Sequence, residues 1–321
     1  HYGAMQVTPQ RQKEDTLRVL VETVLQVAAR QATLLLFEDA HWADPTTIEL
    51  LDLLIRRCGD VPILVLISFR PEFQPVWSGT YVTTLPITRL VRAQSVGLVS
   101  KLTGGRSIPP DLVSHIVEKT DGVPLFIEEL TRAVLESGMV VEVEGRFEYA
   151  GTVDRISVPS TLRDSLMARL DRLIPVKEIA QIGAVVGREF SYELVAALSP
   201  MPEPRLTDAL DRLVHSALVF RRGDGPSAVY TFKHALVQDA AYDSLLKAKR
   251  QELHARIAEA IRAGQPTVLA TQPELLAHHY TAAGALSTAV PLWQKAGALA
   301  LGRMALTEAI AHLERGLSIN G

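Results

Sequence analysis

Leu34-Leu35-Leu36-Phe37-Glu38-Asp39-Ala40-His41-Trp42-Ala43-Asp44 is an apolar run of strand length that stops on two adjacent carboxylates. At the end of a buried parallel strand, such a pair places fixed negative charge at the sheet edge, where Mg²⁺ and phosphates sit in nucleotide-binding folds. One carboxylate can hold the metal or its water shell, and its neighbour can orient an attacking water. The stretch reads as a Walker B strand. It reads equally as a buried strand followed by an acidic loop that caps the next helix, because apolar strands ending in Asp or Glu are common.

The phosphate-cradling partner of such a strand is absent from the sequence. No segment matches G-x-x-x-x-G-K-[ST], and Gly104-Gly105-Arg106-Ser107 lies downstream of both core strands without the required spacing. About thirty residues precede the Walker B strand. The expectation is a nucleotide-binding module cut off after its first βα unit. His1-Tyr2-Gly3-Ala4-Met5 resembles an appended remnant more than a natural start.

Outward from this stretch, helix and strand alternate. Leu17, Leu20, Val21, Val24, Val27 and Ala28 recur at helical spacing and predict an amphipathic helix from about Lys13 to Arg30. Asp44 is a natural N-cap with Pro45 at the first helical position, opening a helix to about Cys58. A second buried strand, Pro62 to Ser68, ends in Phe69-Arg70-Pro71-Glu72, so a parallel βαβ crossover is expected. Arg70 at that strand end is placed to meet a γ-phosphate, or to pair with Glu72 at the surface.

Short helices are expected from about Arg92 to Gly138, broken at Pro109-Pro110 and Asp121-Gly122-Val123-Pro124. Pro124 opens a helix carrying Leu125, Ile127, Leu130 and Val134; it either lies flat on an adenine ring or simply initiates the helix. Val140 to Tyr149 alternates around Glu144-Gly145 as a β-hairpin. From Ile156 to Leu246, helices near Thr161–Leu173, Val176–Val186, Tyr192–Leu198 and Arg205–Ser216 precede two short β runs, Leu218–Arg222 and Val229–Phe232, which describes a winged helix. Its groove-facing helix balances Asp208 and Asp211 against Arg205 and Arg212, so structural use is favoured over nucleic-acid binding. From about Leu253, small residues alternate with large ones in Ala277 to Gly284, Ala289 to Ala296 and Ala305 to Leu313, resembling tetratricopeptide-type helical hairpins. His278-His279 point about 100° apart on a helix, which favours packing or surface placement over a shared metal ion.

Bulk composition narrows the classes. The 321 residues are 47% hydrophobic, 6% aromatic and 21% charged, an ordinary helix-rich globular composition of two or three domains. A net charge of −3 gives no bulk electrostatic reason to bind nucleic acid. Cys58 is the single cysteine, which excludes a disulfide framework and a zinc cluster and favours a reducing, cytoplasmic setting. The apolar run Ile63 to Ile67 is far too short to cross a bilayer, and no membrane association is expected.

Taken in order, Glu38-Asp39-x-His41-Trp42-x-Asp44, Phe69-Arg70-Pro71-Glu72, Gly122-x-Pro124, the winged helix and Phe232-Lys233-His234-Ala235 resemble the STAND class of signal-transduction ATPases. More narrowly, Phe126-Ile127-Glu128-Glu129-Leu130, Ser165-Leu166-Met167-Ala168-Arg169-Leu170-Asp171-Arg172-Leu173 and Phe232-Lys233-His234-Ala235 resemble the ATPase and repeat region downstream of bacterial class III adenylate/guanylate cyclase domains. The resemblance implies an incomplete α/β parallel-sheet, P-loop-NTPase-like core (1–91), a helical lid with a β-hairpin (92–150), a winged-helix domain (151–250) and the start of TPR-like repeats (251–321). It implies Glu38 as the Mg²⁺-side acid, where Asp is more usual, and Asp39 as the water-polarising acid. It further implies Arg70 as sensor, Pro124 against adenine and His234 on the ADP β-phosphate; His234 also reads as a core or wing histidine. ATP or ADP with Mg²⁺ would be the cofactors of an intact parent, and hydrolysis by this chain alone is not expected without the phosphate loop. The implied role is a nucleotide switch with protein partners on the repeats, ATP-dependent self-association and a cyclase effector outside this chain. A non-hydrolysing protein-interaction scaffold and the ATPase module of a LuxR-type transcription regulator are the other readings.

Overall fold

The computed structural model describes residues 8–150, 161–172, 174–264 and 267–319. Among these the protein is mostly helical with small sheets. In chain order, helix α1 (Pro9–Arg30), strand β1 (Thr33–Phe37), α2 (Pro45–Arg57) and β2 (Ile63–Ile67) come first. Then follow α3 (Arg92–Leu102), α4 (Pro110–Thr120), α5 (Pro124–Glu136), and the hairpin β3 (Val140–Val143) and β4 (Arg146–Tyr149). Next come α6 (Leu162–Arg172), α7 (Ile174–Val186), β5 (Glu189–Ser191), α8 (Tyr192–Leu198), α9 (Glu203–His215), β6 (Val219–Arg222), β7 (Val229–Phe232), α10 (Ala235–Asp243) and α11 (Lys247–Gly264). Last are α12 (Val268–Thr271), α13 (Pro273–Ala283), α14 (Leu286–Gly302) and α15 (Leu306–Ser318). They pack as two units, one of His1–Leu85 with Gln265–Gly321, the other of Pro86–Gly264.

In the first unit, β1 and β2 pair in parallel, Thr33 with Ile63 through Phe37 with Ile67, joined by the expected crossover helix α2. Asp44 caps α2 as its residue type predicts: its carboxylate accepts from the Thr47 N–H at 2.9 Å, ahead of Pro45. Helix α1 begins at Pro9 behind a Thr8 cap, four residues before the expected Lys13, because Gln10, Arg11 and Gln12 continue a helix without contributing to its apolar stripe. The strands differ from expectation in burial. Parallel strands normally bury both faces, yet Leu34, Leu36, Leu64 and Leu66 are exposed and the alternate positions are only half-buried. A sheet of two strands leaves that face uncovered among the described residues.

Within the same unit α14 packs against both α13 and α15. Small residues let them approach: a Cβ on Gly297 would stand 2.6 Å from Leu313 Cγ, and one on Gly316 3.2 Å from the Trp293 Cβ. Thr46, at the start of α2, donates through its N–H and its hydroxyl to Glu308 of α15, at 3.1 and 2.7 Å.

The second unit holds the larger cores. Val99, Ile108, Leu112, Ile116, Phe126, Ile127, Leu130, Val134 and Val140 form one apolar cluster of α3, α4, α5 and the hairpin. The hairpin turns at Glu144-Gly145 as expected, both residues having left-handed backbone. The phenol of Tyr149 donates to Asp111 at 2.7 Å, tying the hairpin to α4. Around α7, α8 and α9 lies a three-stranded antiparallel sheet in the order β5-β7-β6. The two expected β runs are β6 and β7; β5, three residues long, is too short to register in the sequence. Phe190 and Tyr230 stack at 5.6 Å in its core, and Gly183 is required beneath them, since a Cβ there would lie 2.6 Å from the Phe190 ring.

Candidate functional site

The site residues expected from sequence fall into two groups, one in each unit. Glu38, Asp39 and Arg70 lie in the first, at the C-terminal ends of its parallel strands. The chain ends of β1 and β2 are stitched beyond the ladder: Ser68 N–H donates to Phe37 O at 3.0 Å and Ala40 N–H to Ser68 O at 2.8 Å. The Asp39 N–H donates to the Ser68 hydroxyl at 3.0 Å, and Asp39 itself adopts the left-handed conformation, φ 58. Asp tolerates that region better than most residues, and backbone of this kind concentrates at functional turns. Glu38 is exposed and Asp39 half-buried, so the two carboxylates are presented differently from one strand end.

Arg70 is exposed and its guanidinium lies over the Trp42 ring, 5.6 Å from the centroid. No ion pair joins it to Glu72 among the described residues, so stacking rather than the surface pair holds it. Next to Trp42, at 4.8 Å, the His41 ring has both nitrogens buried without a hydrogen-bond partner. Sequence reasoning assigned no role to Trp42 or His41. Their signal was present in the run Ala40-His41-Trp42, which forms a single 3-10 turn that folds back over the strand ends.

Pro124 and His234 lie in the second unit. Pro124 is exposed at the first turn of α5. His234 lies two residues beyond β7 and caps α10 with its backbone; its Nε2 is buried with no hydrogen-bond partner. Ion pairs tie α5, which Pro124 opens, to the segment just before His234. Lys233 Nζ donates to Glu128 Oε1 at 2.9 Å, and Arg132 Nη2 donates to the same oxygen at 2.7 Å. One residue on, Glu129 accepts from Arg169 Nη1 of α6 at 2.6 Å, and this pair is buried, 2% and 3% exposed. Arg169 Nη2 also donates to the Ser216 carbonyl, and its Nε faces Glu136 at 3.7 Å. Thus the three phrases that single out this sequence, at 126–130, 165–173 and 232–235, meet through their charged residues. None of those charges was assigned a role from sequence.

Electrostatics follow from this arrangement. Burial would raise the Glu128 carboxyl, but Lys233, Arg132 and His234 outweigh it and hold it below its ordinary value. Burial lowers His234 below 6.5; Lys233 and Arg188 push the same way, against Glu128 and Glu129. In the first unit His278 is also lowered, by burial and then by Arg315. Histidines with depressed folded values bind protons more weakly than in the unfolded chain. Their contribution to stability is full above 6.5, falls as pH drops from there through the folded values, and then levels off. Melting temperature should therefore fall on acidification from pH 7 towards 5, and the His234→Gln variant should show a shallower fall. A flat profile in the parent chain contradicts the assignment.

The rings of His278 and His279 meet edge-on at 5.5 Å, and His279 is buried. Among the described residues no group of three or more His, Cys, Asp and Glu is arranged to hold a metal ion. No helix among them is long and apolar enough to cross a membrane. A Mg²⁺ ion at Glu38 would thus depend on phosphate oxygens and water for most of its coordination, as Mg²⁺ commonly does. For an anionic ligand the donors fit better: His234, whose Nε2 has no hydrogen-bond partner, follows Lys233 in the chain and is the N-cap residue of α10.

Two similarities bear on these residues. Residues 92–146, which hold α3 to the start of β4 and carry Pro124, Glu128 and Glu129, match the model of a domain of unknown function, DUF8739. The chain is also 29% identical over 318 residues to an uncharacterized protein, R02095, of Rhizobium meliloti (strain 1021). That match covers 98% of this chain and 30% of the relative, so the chain spans less than a third of the relative's length.

Proposed function

We infer that this chain is the regulatory, nucleotide-sensing portion of a larger signalling ATPase of the STAND type. The observation that carries this reading is the parallel β1–α2–β2 unit, with Glu38-Asp39 ending one strand and Arg70 following the other. Charge of both signs at the C-terminal ends of parallel strands is the usual location for a polyphosphate in α/β folds. The parallel pair belongs, on this reading, to a P-loop-NTPase-like core, the segment 92–150 to its lid, α7–β7 to a winged helix, and α13–α15 to TPR-like repeats. A bound nucleotide would supply the phosphates that bring Mg²⁺ to Glu38.

Within that scheme, Glu38 would hold the water shell of a Mg²⁺ ion and Asp39 would orient a water. In the first unit Arg70 would read a γ-phosphate; in the second, Pro124 would meet an adenine and His234 would donate from Nε2 to a β-phosphate. The role assigned to the chain is switching, with a nucleotide cyclase as the effector. A switch of this type needs only a few kcal/mol of differential affinity between states. The reading as a protein-interaction scaffold is supported by the exposed stripe Leu306, Ile310, Leu313 and Leu317 on α15.

One experiment separates the two. In the full-length polypeptide, Arg70→Ala should lower the preference for ATP over ADP about tenfold or more, the scale of a lost charge-assisted contact. An unchanged preference overturns the sensor assignment and favours the scaffold.

A further inference from the structure

The two glutamates of Phe126-Ile127-Glu128-Glu129-Leu130 differ in a way that their adjacency hides. Glu129 and Arg169 are both almost wholly buried, and Arg169 spends its other donors on Ser216 O and on the neighbourhood of Glu136. Arg169 keeps Glu136 at 3.7 Å, but Glu129 has no second ion pair among the described residues, so parting the two would strand its charge in the interior. Glu128 and Lys233 are about a fifth exposed, and Glu128 Oε1 is shared with Arg132 one turn along the same helix. If Lys233 leaves, Glu128 keeps a cation. Lys233 is partly exposed and can reach water, and its neighbour His234 has an Nε2 without a hydrogen-bond partner.

We propose that Glu129–Arg169 is a permanent hinge between α5 and the module of α6 to α10, and that Glu128–Lys233 is a latch that a polyphosphate anion opens by drawing Lys233 to itself beside His234. Glu128 is then a positioning residue, acting on the anion only through Lys233 and His234. What the latch serves rests on the nucleotide-switch reading; the hierarchy of the two pairs does not.

Charged groups facing His234 are Lys233 and Arg188 on its own side, and Glu128 and Glu129 from α5. Removing one sign at a time should therefore move its titration in opposite directions. In the 321-residue chain, followed by NMR of the imidazole, Lys233→Met should raise the His234 midpoint and Glu128→Gln should lower it. A packing role alone would move both alike. Both variants should lose less melting temperature than Arg169→Met, because this pair is partly exposed and Glu128 keeps Arg132 when Lys233 is removed. Inorganic pyrophosphate, used as the probe, should bind Glu128→Gln roughly three- to fivefold tighter than the parent and Lys233→Met correspondingly weaker. A His234 midpoint that ignores both substitutions overturns the latch. So does a Lys233→Met melting loss as large as that of Arg169→Met, or a pyrophosphate affinity equal or undetectable in all three proteins. If full-length protein fails to bind ADP while the NMR shifts appear as stated, the nucleotide reading falls and the hinge-and-latch hierarchy stands.

Discussion

Arg169→Met should lower the melting temperature of the 321-residue chain by roughly 10 °C. The methionine fills most of the volume, but Glu129, 2% exposed, loses its ion-pair partner, and the Ser216 carbonyl loses the Arg169 donor. Breaking one side of a buried pair typically costs about 3–5 kcal/mol, and in a unit of this size each kcal/mol moves the midpoint by about 2–4 °C. Removing both charges is a different matter, because apolar replacements of a buried pair are often neutral or better. The Glu129→Leu/Arg169→Met double variant should recover most of the loss. Scanning calorimetry of the two proteins decides it: a double variant no better than Arg169→Met would show that packing, not the unpaired charge, sets the cost.

The second large effect is expected at Gly122. Its φ is +69, and a Cβ built there would overlap the Leu90 carbonyl oxygen, which is backbone and cannot move aside as a side chain can. The same two residues are joined by the Leu90 N–H donating to Gly122 O at 2.8 Å, and Arg89 pairs with Asp121 beside them. Gly122→Ala thus combines a left-handed alanine, about 1–2 kcal/mol, with an overlap worth about 1–3 kcal/mol. Gly105→Ala is the matched control, because its φ of +78 carries the same backbone cost while its Cβ meets open space. Denaturant unfolding should show Gly122→Ala losing at least about 1 kcal/mol more than Gly105→Ala. Equal losses would mean that Leu90 yields, and that the turn presenting Pro124 is softer than its contacts imply.

Local features were the most legible in the sequence. The Asp44–Pro45 helix start, the Glu144-Gly145 turn and the strands around Leu35 and Val65 are written in residues that lie next to one another, where cap and turn chemistry acts. The exposure of Leu34, Leu36, Leu64 and Leu66 was not legible, because an apolar run does not report how many strands will lie beside it. Nor was the company kept by the charges. Glu129 meets Arg169 across forty positions, Glu128 meets Lys233 across 105 and Thr46 meets Glu308 across 262. Spacing rules stop within a helical turn, and only the fold brings such residues together. The candidate residues were found one by one, whereas the groups that set their electrostatics, Glu128, Lys233 and Trp42, emerged from geometry.

The nucleotide-switch account is tested most directly by calorimetric titration of ADP with Mg²⁺ into the full-length polypeptide and its His234→Ala variant. It predicts micromolar or tighter binding that weakens about tenfold or more in the variant, as expected when a charged ligand loses a hydrogen-bond donor. No binding, or binding that His234→Ala leaves unchanged, would contradict it.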